Sequence, residues 1–191
     1  MRRDKNYLRN IFLLKRRKKY LSSKKFNFSL IFKLIRKKFK NKKIIIGGYY
    51  PSSYEVNILN FLEEASKKKF KIALPVVQSS TVMRFRPWIL RDPLYVSKLG
   101  ILEPENSKKE IIPDLIIVPL VAFDKQLNRI GYGKGYYDRC LRKIKKMKNK
   151  ALFLGMAYYF QKCKSIPVNR HDFKLHYIFT ERGIISSKNK L

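Results

Sequence analysis

The sequence is short of acidic residues, cysteine and long apolar runs, and each shortage excludes a class of protein. Its 191 residues include only 13 Asp and Glu, two Cys and one Trp. Two cysteines, Cys140 and Cys163, are too few for a disulfide framework or a cysteine-rich zinc site, so we expect reduced thiols in a cytoplasmic protein. No apolar run approaches the ~18 residues of a membrane span, and residues 11–14 are too short for a signal-peptide core. We therefore expect no membrane association.

The scarcity of acids leaves an extreme basic charge, because 45 Lys and Arg give a formal net charge of +32. Such a field attracts nucleic-acid phosphates, and a basic nucleic-acid-binding protein without catalytic activity is the alternative to an enzyme. The basic residues, however, are spread along the whole chain, which favours a general drift in composition. We expect no specific nucleic-acid partner and only weak, nonspecific polyanion binding.

Apolar residues are plentiful enough for a full core, since they make up 45% of the chain and include 13 Phe and 12 Tyr. The length predicts a single domain over residues 1–191, with residues 186–191 as a disordered tail. Helical spacing predicts helices over residues 4–20 and 28–39, and apolar runs predict strands over residues 44–50, 71–77, 81–88, 114–123 and 151–158. Strands that alternate with helices predict an α/β fold, an open and mostly parallel sheet with flanking helices in a Rossmann-like three-layer arrangement.

Residues 129–139 are the most informative stretch. They read Arg-Ile-Gly-Tyr-Gly-Lys-Gly-Tyr-Tyr-Asp-Arg and stand between a predicted buried strand and a helical pattern. A glycine loop that leads into a helix N-terminus is a ready anion site. Lys134 adds a mobile cation, and Asp138 adds a hard oxygen ligand on the first helical turn. The stretch is neither a P-loop, which needs Ser or Thr after Gly-Lys, nor the dinucleotide fingerprint, whose third glycine comes one residue later.

Residues 128–139 closely resemble the signature of the 5-formyltetrahydrofolate cyclo-ligases, also called 5,10-methenyltetrahydrofolate synthetases. Weaker matches extend the resemblance over residues 5–181. They include the Lys-x-x-x-Arg opening at Lys5 and Arg9, continued by Arg16 or Arg17, and a Gly-x-x-Glu-Pro pattern that begins at Gly100.

The resemblance implies an ATP- and Mg²⁺-dependent ligase that cyclises 5-formyltetrahydrofolate to 5,10-methenyltetrahydrofolate and releases ADP and phosphate. The formyl oxygen is phosphorylated, a neighbouring folate amine attacks the resulting imidate phosphate, and phosphate leaves. The protein has to position two anionic ligands and neutralise the phosphoryl charge. We expect a monomer, with ligands at the carboxyl ends of the strands.

The resemblance also implies the site residues. Lys134 and Tyr136 are the catalytic candidates, and Asp138 and Asp172 are the magnesium ligands. The ATP-binding candidates are Lys5, Arg9, Arg129, Ile130, Gly131, Tyr132, Gly133, Lys134, Gly135, Tyr136 and Tyr137. The substrate-binding candidates are Tyr50, Glu55, Tyr132, Gly133, Lys134, Gly135 and Tyr136.

Several alternatives stay open at this point. Glu55 stands in a Ser-x-x-Glu pattern that predicts a helix beginning at Ser52, so it is either a helix cap or a folate ligand, or both. Phe85 and Trp88 either stack on the folate rings or belong to the core. His176 and Tyr159 depart from the family pattern, which leaves their own positions in doubt. A kinase-like enzyme acting on another small molecule is a third possible function.

Overall fold

The computed structural model describes residues 4–22 and 25–187. Four α-helices lie in these ranges, α1 (Lys5–Lys19), α2 (Ser29–Phe39), α3 (Leu59–Lys67) and α4 (Tyr136–Met147), together with a short 3₁₀ turn (Tyr159–Gln161). The strands are β1 (Ile45–Gly47), β2 (Lys71–Val77), β3 (Met83–Pro87), β4 (Tyr95–Val96), β5 (Leu102–Glu103), β6 (Leu115–Pro119), β7 (Ala122–Phe123), β8 (Arg129–Ile130), β9 (Leu152–Met156), β10 (Tyr177–Thr180) and β11 (Gly183–Ser186). No helix in the described part of the chain is long and apolar enough to cross a membrane.

Seven strands form one sheet in the order β11-β10-β9-β6-β1-β2-β3. The five inner strands, from β10 to β2, are mutually parallel, and only β3 and β11 at the edges run antiparallel to their neighbours. The predicted α/β fold with an open, mostly parallel sheet is therefore confirmed.

Both faces of the sheet are covered, which gives the three layers. Along β6, Leu115 and Ile117 join one apolar cluster with residues of α2 and α3. Ile116 and Val118 join a second cluster with residues of α4. Since successive strand side chains point to opposite faces, the two clusters lie on opposite sides of the sheet. Burial on both faces explains why this strand reads as a continuous apolar run.

Helix α1 packs through a narrower stripe than the sequence suggested. Leu8 and Phe12 are buried, and so is Arg16, which continues the same i, i+4 row and is only 1% exposed. The apolar face that helical spacing predicts here consists of Tyr7, Leu8, Ile11, Phe12 and Leu14, and this prediction was partly wrong because three of the five are exposed. These are Tyr7, Ile11 and Leu14.

The segment after β1 is not the helix that the sequence predicted. Ser53 and Tyr54 have positive φ angles of 47° and 64°, which a right-handed helix cannot continue. Helix α3 begins only at Leu59, whose backbone N–H donates to the Asn57 side chain at 2.9 Å. The Ser-x-x-Glu pattern therefore forms an isolated turn, so the predicted helix start at Ser52 was wrong, and of the two open roles of Glu55 the helix cap is excluded.

Other predicted boundaries also shift. The run over residues 114–123 divides into β6 and β7, and β7 pairs with β8 as a hairpin that leads into the glycine loop. Residues 92–110, where the sequence predicts a loop and no strand, contain the two-stranded ribbon of β4 and β5, so this prediction was wrong in part. Ser186 belongs to β11, whereas the rest of the expected tail, from residue 188 on, lies outside the described residues.

Candidate active site

A cavity of about 650 Å³ opens where β1, β2 and β6 end. Parallel α/β sheets bind ligands at this edge, and the volume is typical of ligand sites. The cavity brings together every residue that the sequence analysis placed in the site. These are Lys5, Arg9, Tyr50, Glu55, Arg129, Ile130, Gly131, Tyr132, Gly133, Lys134, Gly135, Tyr136, Tyr137, Asp138 and Asp172.

The glycine loop runs from the end of β8 into α4. Gly133 and Gly135 have φ angles of +99° and +69°, which side-chain-bearing residues rarely adopt. Gly131 lacks a positive φ, and a Cβ there would meet no atom within 4 Å, so only two of the three glycines need the conformational freedom of glycine. Gly135 is the N-cap of α4 and provides no side-chain cap. The first N–H groups of the helix are therefore available to an anion.

Arg9 reaches from α1 onto this loop. Its Nε donates to the carbonyl oxygen of Gly131 at 2.8 Å. A Cβ at Gly133 would lie 3.3 Å from the Arg9 Cζ, so the loop backbone and the guanidinium are in close contact. Because α1 packs against the β7–β8 hairpin, the Arg9 guanidinium lies next to the glycine loop that leads into α4.

Lys5, one turn before Arg9, forms an ion pair with Asp172. The same carboxylate oxygen of Asp172 accepts the backbone N–H of Asn169 at 2.6 Å. Lys5, a predicted ATP-binding residue, and Asp172, a predicted magnesium ligand, therefore lie side by side, although they are 167 residues apart in the chain.

Arg129 and Asp138 form a second ion pair at the base of the cavity. The Arg129 side chain is 4% exposed and donates to Asp138 Oδ1 at 2.8 Å and to the Phe173 carbonyl. Asp138 Oδ1 also accepts the Phe173 backbone N–H at 2.9 Å. Burial lowers the pKa of Arg129, and Asp138 opposes that shift. The Arg129 guanidinium thus fixes Asp138 and the residue-173 loop, a structural role that the sequence did not reveal.

Ile130 also faces inward. Its side chain packs with Leu8 and Phe12 of α1, and its carbonyl accepts the Val121 backbone N–H at 2.7 Å. Any contribution of Ile130 to ligand binding is therefore made by its backbone.

The free carboxylate oxygens of Asp138 and Asp172 are of the type that would suit a magnesium ion whose other ligands come from a bound phosphate. Among the described residues, hydrogen bonds and ion pairs engage only Oδ1 of Asp138 and Oδ2 of Asp172, which leaves one carboxylate oxygen on each. The described chain holds no cluster of three or more Asp, Glu, His or Cys that could form a complete protein cage. Mg²⁺ is commonly bound by one or two carboxylates together with substrate phosphates, which suits this donor set.

Glu55 lies at the other side of the cavity and is 7% exposed. Its Oε2 accepts the Ser52 backbone N–H at 3.0 Å. Burial raises the pKa of Glu55 above 4.5, while the Ser52 N–H, Arg16 and Tyr132 oppose the shift. Burial, and next Glu55, also raise the pKa of the Tyr132 phenol, which therefore stays protonated. A buried carboxylate beside a phenol can select ligand N–H groups.

The apolar wall of the cavity escaped the sequence analysis. It is formed by Val77, Met83, Leu99 and Ile101. Phe85 and Trp88, considered for ring stacking, belong to the core, and the Trp88 Nε1–H donates to the Asp92 carbonyl at 3.3 Å. Leu99 and Ile101 come from the ribbon segment that the sequence did not resolve, so no periodic signal marked them.

Of the residues not yet described, Lys134 and Tyr136 lie at the glycine loop, whereas His176 and Tyr159 lie away from it. Lys134 is exposed on the glycine loop, and the Arg139 guanidinium lies 5.5 Å from the Tyr136 ring centroid. His176 lies outside the cavity, where its Nδ1 accepts the Phe153 backbone N–H at 3.1 Å. Tyr159 also lies outside the cavity. Neither departure from the family pattern therefore falls among the residues that line the cavity.

Comparison with known proteins identifies relatives of this chain. The sequence model of the 5-formyltetrahydrofolate cyclo-ligase family matches residues 1–181. The 5-formyltetrahydrofolate cyclo-ligase of Mycoplasma genitalium is 33% identical over 168 residues, which cover 83% of this chain and 87% of that protein. The Haemophilus influenzae cyclo-ligase is 29% identical over 137 residues, or 68% of this chain and 72% of that protein.

Solved structures show the same relationship. The NMR structure of Aquifex aeolicus 5,10-methenyltetrahydrofolate synthetase superposes with a TM-score of 0.73 at 27% identity, covering 98% of this chain and 94% of that one. The Mycoplasma pneumoniae 5,10-methenyltetrahydrofolate synthetase gives 0.67 at 26% identity, with coverages of 97% and 99%. On the sequence match over residues 1–181 and the shared fold, the chain belongs to the 5-formyltetrahydrofolate cyclo-ligase family.

Proposed function

We propose that this protein catalyses the ATP- and Mg²⁺-dependent cyclisation of 5-formyltetrahydrofolate to 5,10-methenyltetrahydrofolate, with release of ADP and phosphate. One observation carries the proposal. A single cavity joins a cationic glycine loop at a helix N-terminus to a buried glutamate, and an apolar wall lies along the same space. Both ligands of such a ligase can therefore meet in one site.

The phosphate end is formed by α1 and the glycine loop. Lys5 and Arg9 supply cations, the loop supplies backbone N–H groups, and Lys134 supplies a third cation from an exposed position. A polyphosphate placed here meets positive charge from three directions, which favours electrostatic stabilisation of a phosphoryl group in transfer.

The folate end is formed by Tyr50, Glu55 and the apolar wall. A pterin carries N–H donors on one edge and flat apolar faces, so a buried carboxylate and apolar side chains match its two kinds of surface. Tyr132 belongs to the glycine loop yet lies beside Glu55. The reacting formyl group is thus expected near this tyrosine, where the two ends meet.

The chemistry then follows from position. The formyl oxygen attacks the γ-phosphorus, and ADP departs with the electrons of the broken P–O bond. The folate amine then adds to the formyl carbon and gives up its proton, and phosphate leaves with that proton and the former formyl oxygen. Lys5, Arg9 and Lys134 hold phosphoryl charge, Tyr136 borders the loop, and Glu55 orients the folate. Asp138 and Asp172 would hold magnesium, which would supply further charge neutralisation.

The direct test is the absorbance rise of methenyltetrahydrofolate when the purified protein meets 5-formyltetrahydrofolate, ATP and Mg²⁺. Product should form only when all three are present, because each is needed to assemble the site. Omission of any one component is the control. Absence of turnover by well-folded protein under complete conditions would overturn the proposal.

Replacement of Lys5 or Arg9 by Met tests the phosphate end. Each variant keeps much of the apolar stem and removes the charge, so we expect the KM for ATP to rise by roughly tenfold or more. The stability cost should be about 1 kcal/mol, since the Lys5 pair is partly exposed and Arg9 loses two hydrogen bonds, one to the Gly131 carbonyl and one to the exposed Asn6 side chain.

Steady-state kinetics and thermal denaturation check this pair of variants. Lys18→Met is the matched control, because Lys18 is an exposed cation of the same helix outside the cavity. If both variants have the same ATP kinetics as the control, Lys5 and Arg9 do not bind ATP and are ordinary surface cations.

Four further expectations accompany the proposal. We infer a single cyclo-ligase domain, a monomer, a cytoplasmic location, and weak nonspecific binding to polyanions. The last of these follows from the net charge of +32, and such binding should weaken steeply as salt rises.

A further inference from the structure

Arg16 is the most deeply buried charged side chain near the cavity, and the proposed reaction does not use it. It is 1% exposed, whereas its neighbour Arg17 is exposed on the outer face of α1. A buried guanidinium is unfavourable unless hydrogen bonds replace its water. Its partners therefore indicate what it does.

Those partners come from three separate connections. The Arg16 Nη2 donates to the Ser53 carbonyl at 2.8 Å and to the Tyr132 hydroxyl. Its Nη1 donates to the Leu120 carbonyl at 3.4 Å, in the link between β6 and β7. The guanidinium also lies 5.5 Å from the Tyr132 ring centroid. One side chain of α1 thus holds the turn after β1, the glycine loop and the end of a central strand.

The turn that Arg16 holds is under backbone strain. Ser53 and Tyr54 adopt left-handed φ angles, and non-glycine residues keep such angles only when their surroundings enforce them. Within the same turn, the Glu55 carboxylate accepts the Ser52 N–H and its own backbone N–H donates to the Ser52 carbonyl. The position of the Glu55 carboxylate therefore depends on a turn whose carbonyl is fixed by Arg16.

We propose that Arg16 is a positioning residue that couples the Glu55 turn to the glycine loop through Tyr132. It thereby fixes the position of the folate end of the cavity relative to the nucleotide end. The inference rests on the proposed function for the identity of the two ligands. Arg16 does not line the cavity, so it acts on the ligands through its neighbours Ser53, Tyr132 and Glu55.

The charges around Glu55 support this role. Four titratable side chains interact electrostatically with the Glu55 carboxylate. They are Arg16 of α1, Tyr132 of the glycine loop, Tyr137 of α4 and Tyr49 after β1. Arg16 is the one cation among them. It lowers the pKa of Glu55 against the effect of burial. Loss of the cation should therefore make the carboxylate harder to ionise.

Two variants test this role. Arg16→Gln removes the positive charge, and Arg16→Lys keeps the charge but lacks the planar guanidinium group. In Arg16→Gln we expect the KM for 5-formyltetrahydrofolate to rise by roughly tenfold while the KM for ATP changes far less. The acid limb of the pH profile of kcat/KM for the folate should move to higher pH. Arg16→Lys should restore the acid limb but not the folate KM, because the ammonium replaces the charge and not the geometry. Arg17→Lys is the matched control.

Hydrogen exchange of the ligand-free protein gives a readout independent of turnover. The backbone amides of the 52–55 turn should exchange faster in both Arg16 variants than in wild type, relative to the amides of the central strands. A folded Arg16→Lys with wild-type folate KM and wild-type exchange in this turn would overturn the coupling. If Arg16→Gln does not fold, Arg16→Lys alone decides. Wild-type protein without turnover refutes the proposed function, while the exchange experiment still tests the positioning.

Discussion

Asp138→Asn should lower turnover by roughly two orders of magnitude, the loss expected when one positioned electrostatic group is removed. The amide is nearly isosteric, so it can still accept hydrogen bonds on the first turn of α4. It lacks the anionic oxygen that Mg²⁺ prefers beside phosphate. Folate binding without nucleotide should change little, because Glu55 and the apolar wall are untouched.

The structure adds a stability cost to this variant. Asp138 neutralises the buried Arg129 and also accepts the Phe173 N–H. An uncompensated buried charge is strongly destabilising, although the Asn oxygen keeps part of the hydrogen bonding, so we expect a loss of about 2 kcal/mol. A residue that only capped its helix would cost about 1 kcal/mol and leave activity intact.

Asp172→Asn separates the metal effect from the packing effect. Asp172 pairs with the partly exposed Lys5, so its loss should cost little stability while raising the Mg²⁺ concentration needed for half-maximal turnover. Turnover against Mg²⁺ concentration and thermal denaturation of both variants give the comparison. Near-normal turnover of Asp138→Asn at saturating Mg²⁺ would remove Asp138 from the metal site.

Glu55→Gln should raise the KM for 5-formyltetrahydrofolate by roughly one to two orders of magnitude, since a buried hydrogen bond to a charged group is worth about 1.5–3 kcal/mol. The KM for ATP should change much less. Unlike Asp138→Asn, this variant is expected to be as stable as wild type, or more stable, at neutral pH.

The stability effect follows from the pKa of Glu55, which burial raises in the folded protein. The folded state therefore binds the proton more tightly than the unfolded state does. This contribution to stability is fully present below about pH 4.5, and it is lost as pH rises through the folded pKa. Gln resembles the protonated form at every pH. The melting temperature of the variant should thus exceed that of wild type at pH 8, and the difference should vanish near pH 4.

Denaturation at several pH values and folate kinetics check the two effects together. Glu64→Gln on α3 is the matched control, because Glu64 is exposed in an i, i+4 pair with Lys68. A variant that is less stable than wild type at pH 8 would show that Glu55 is held as a favourable carboxylate. An unchanged folate KM would remove Glu55 from the substrate site.

The local sequence was sufficient to predict the features of this protein that depend on neighbouring residues alone. The apolar runs of β6 and β9, buried on both faces, marked the parallel sheet, and the helical stripe of α2 marked a covering helix. The glycine spacing and Lys134 marked an anion site, because backbone freedom and charge are properties of residues taken one at a time. Lys5 and Arg9, in contrast, were singled out only by the resemblance to the family. All the predicted site residues line one cavity.

The tertiary structure decided which partner each charged group takes. Arg16 and Arg17 are indistinguishable in sequence, yet only Arg16 falls on the buried i, i+4 row of α1 and meets Ser53 and Tyr132. Asp138 and Arg129 pair across the start of α4, and the Ser-x-x-Glu turn ends before a helix forms, because left-handed residues interrupt it. The sequence therefore determined the fold class and the chemical character of the site. Long-range packing determined which of its charges are buried and paired, since burial depends on residues far apart in the chain.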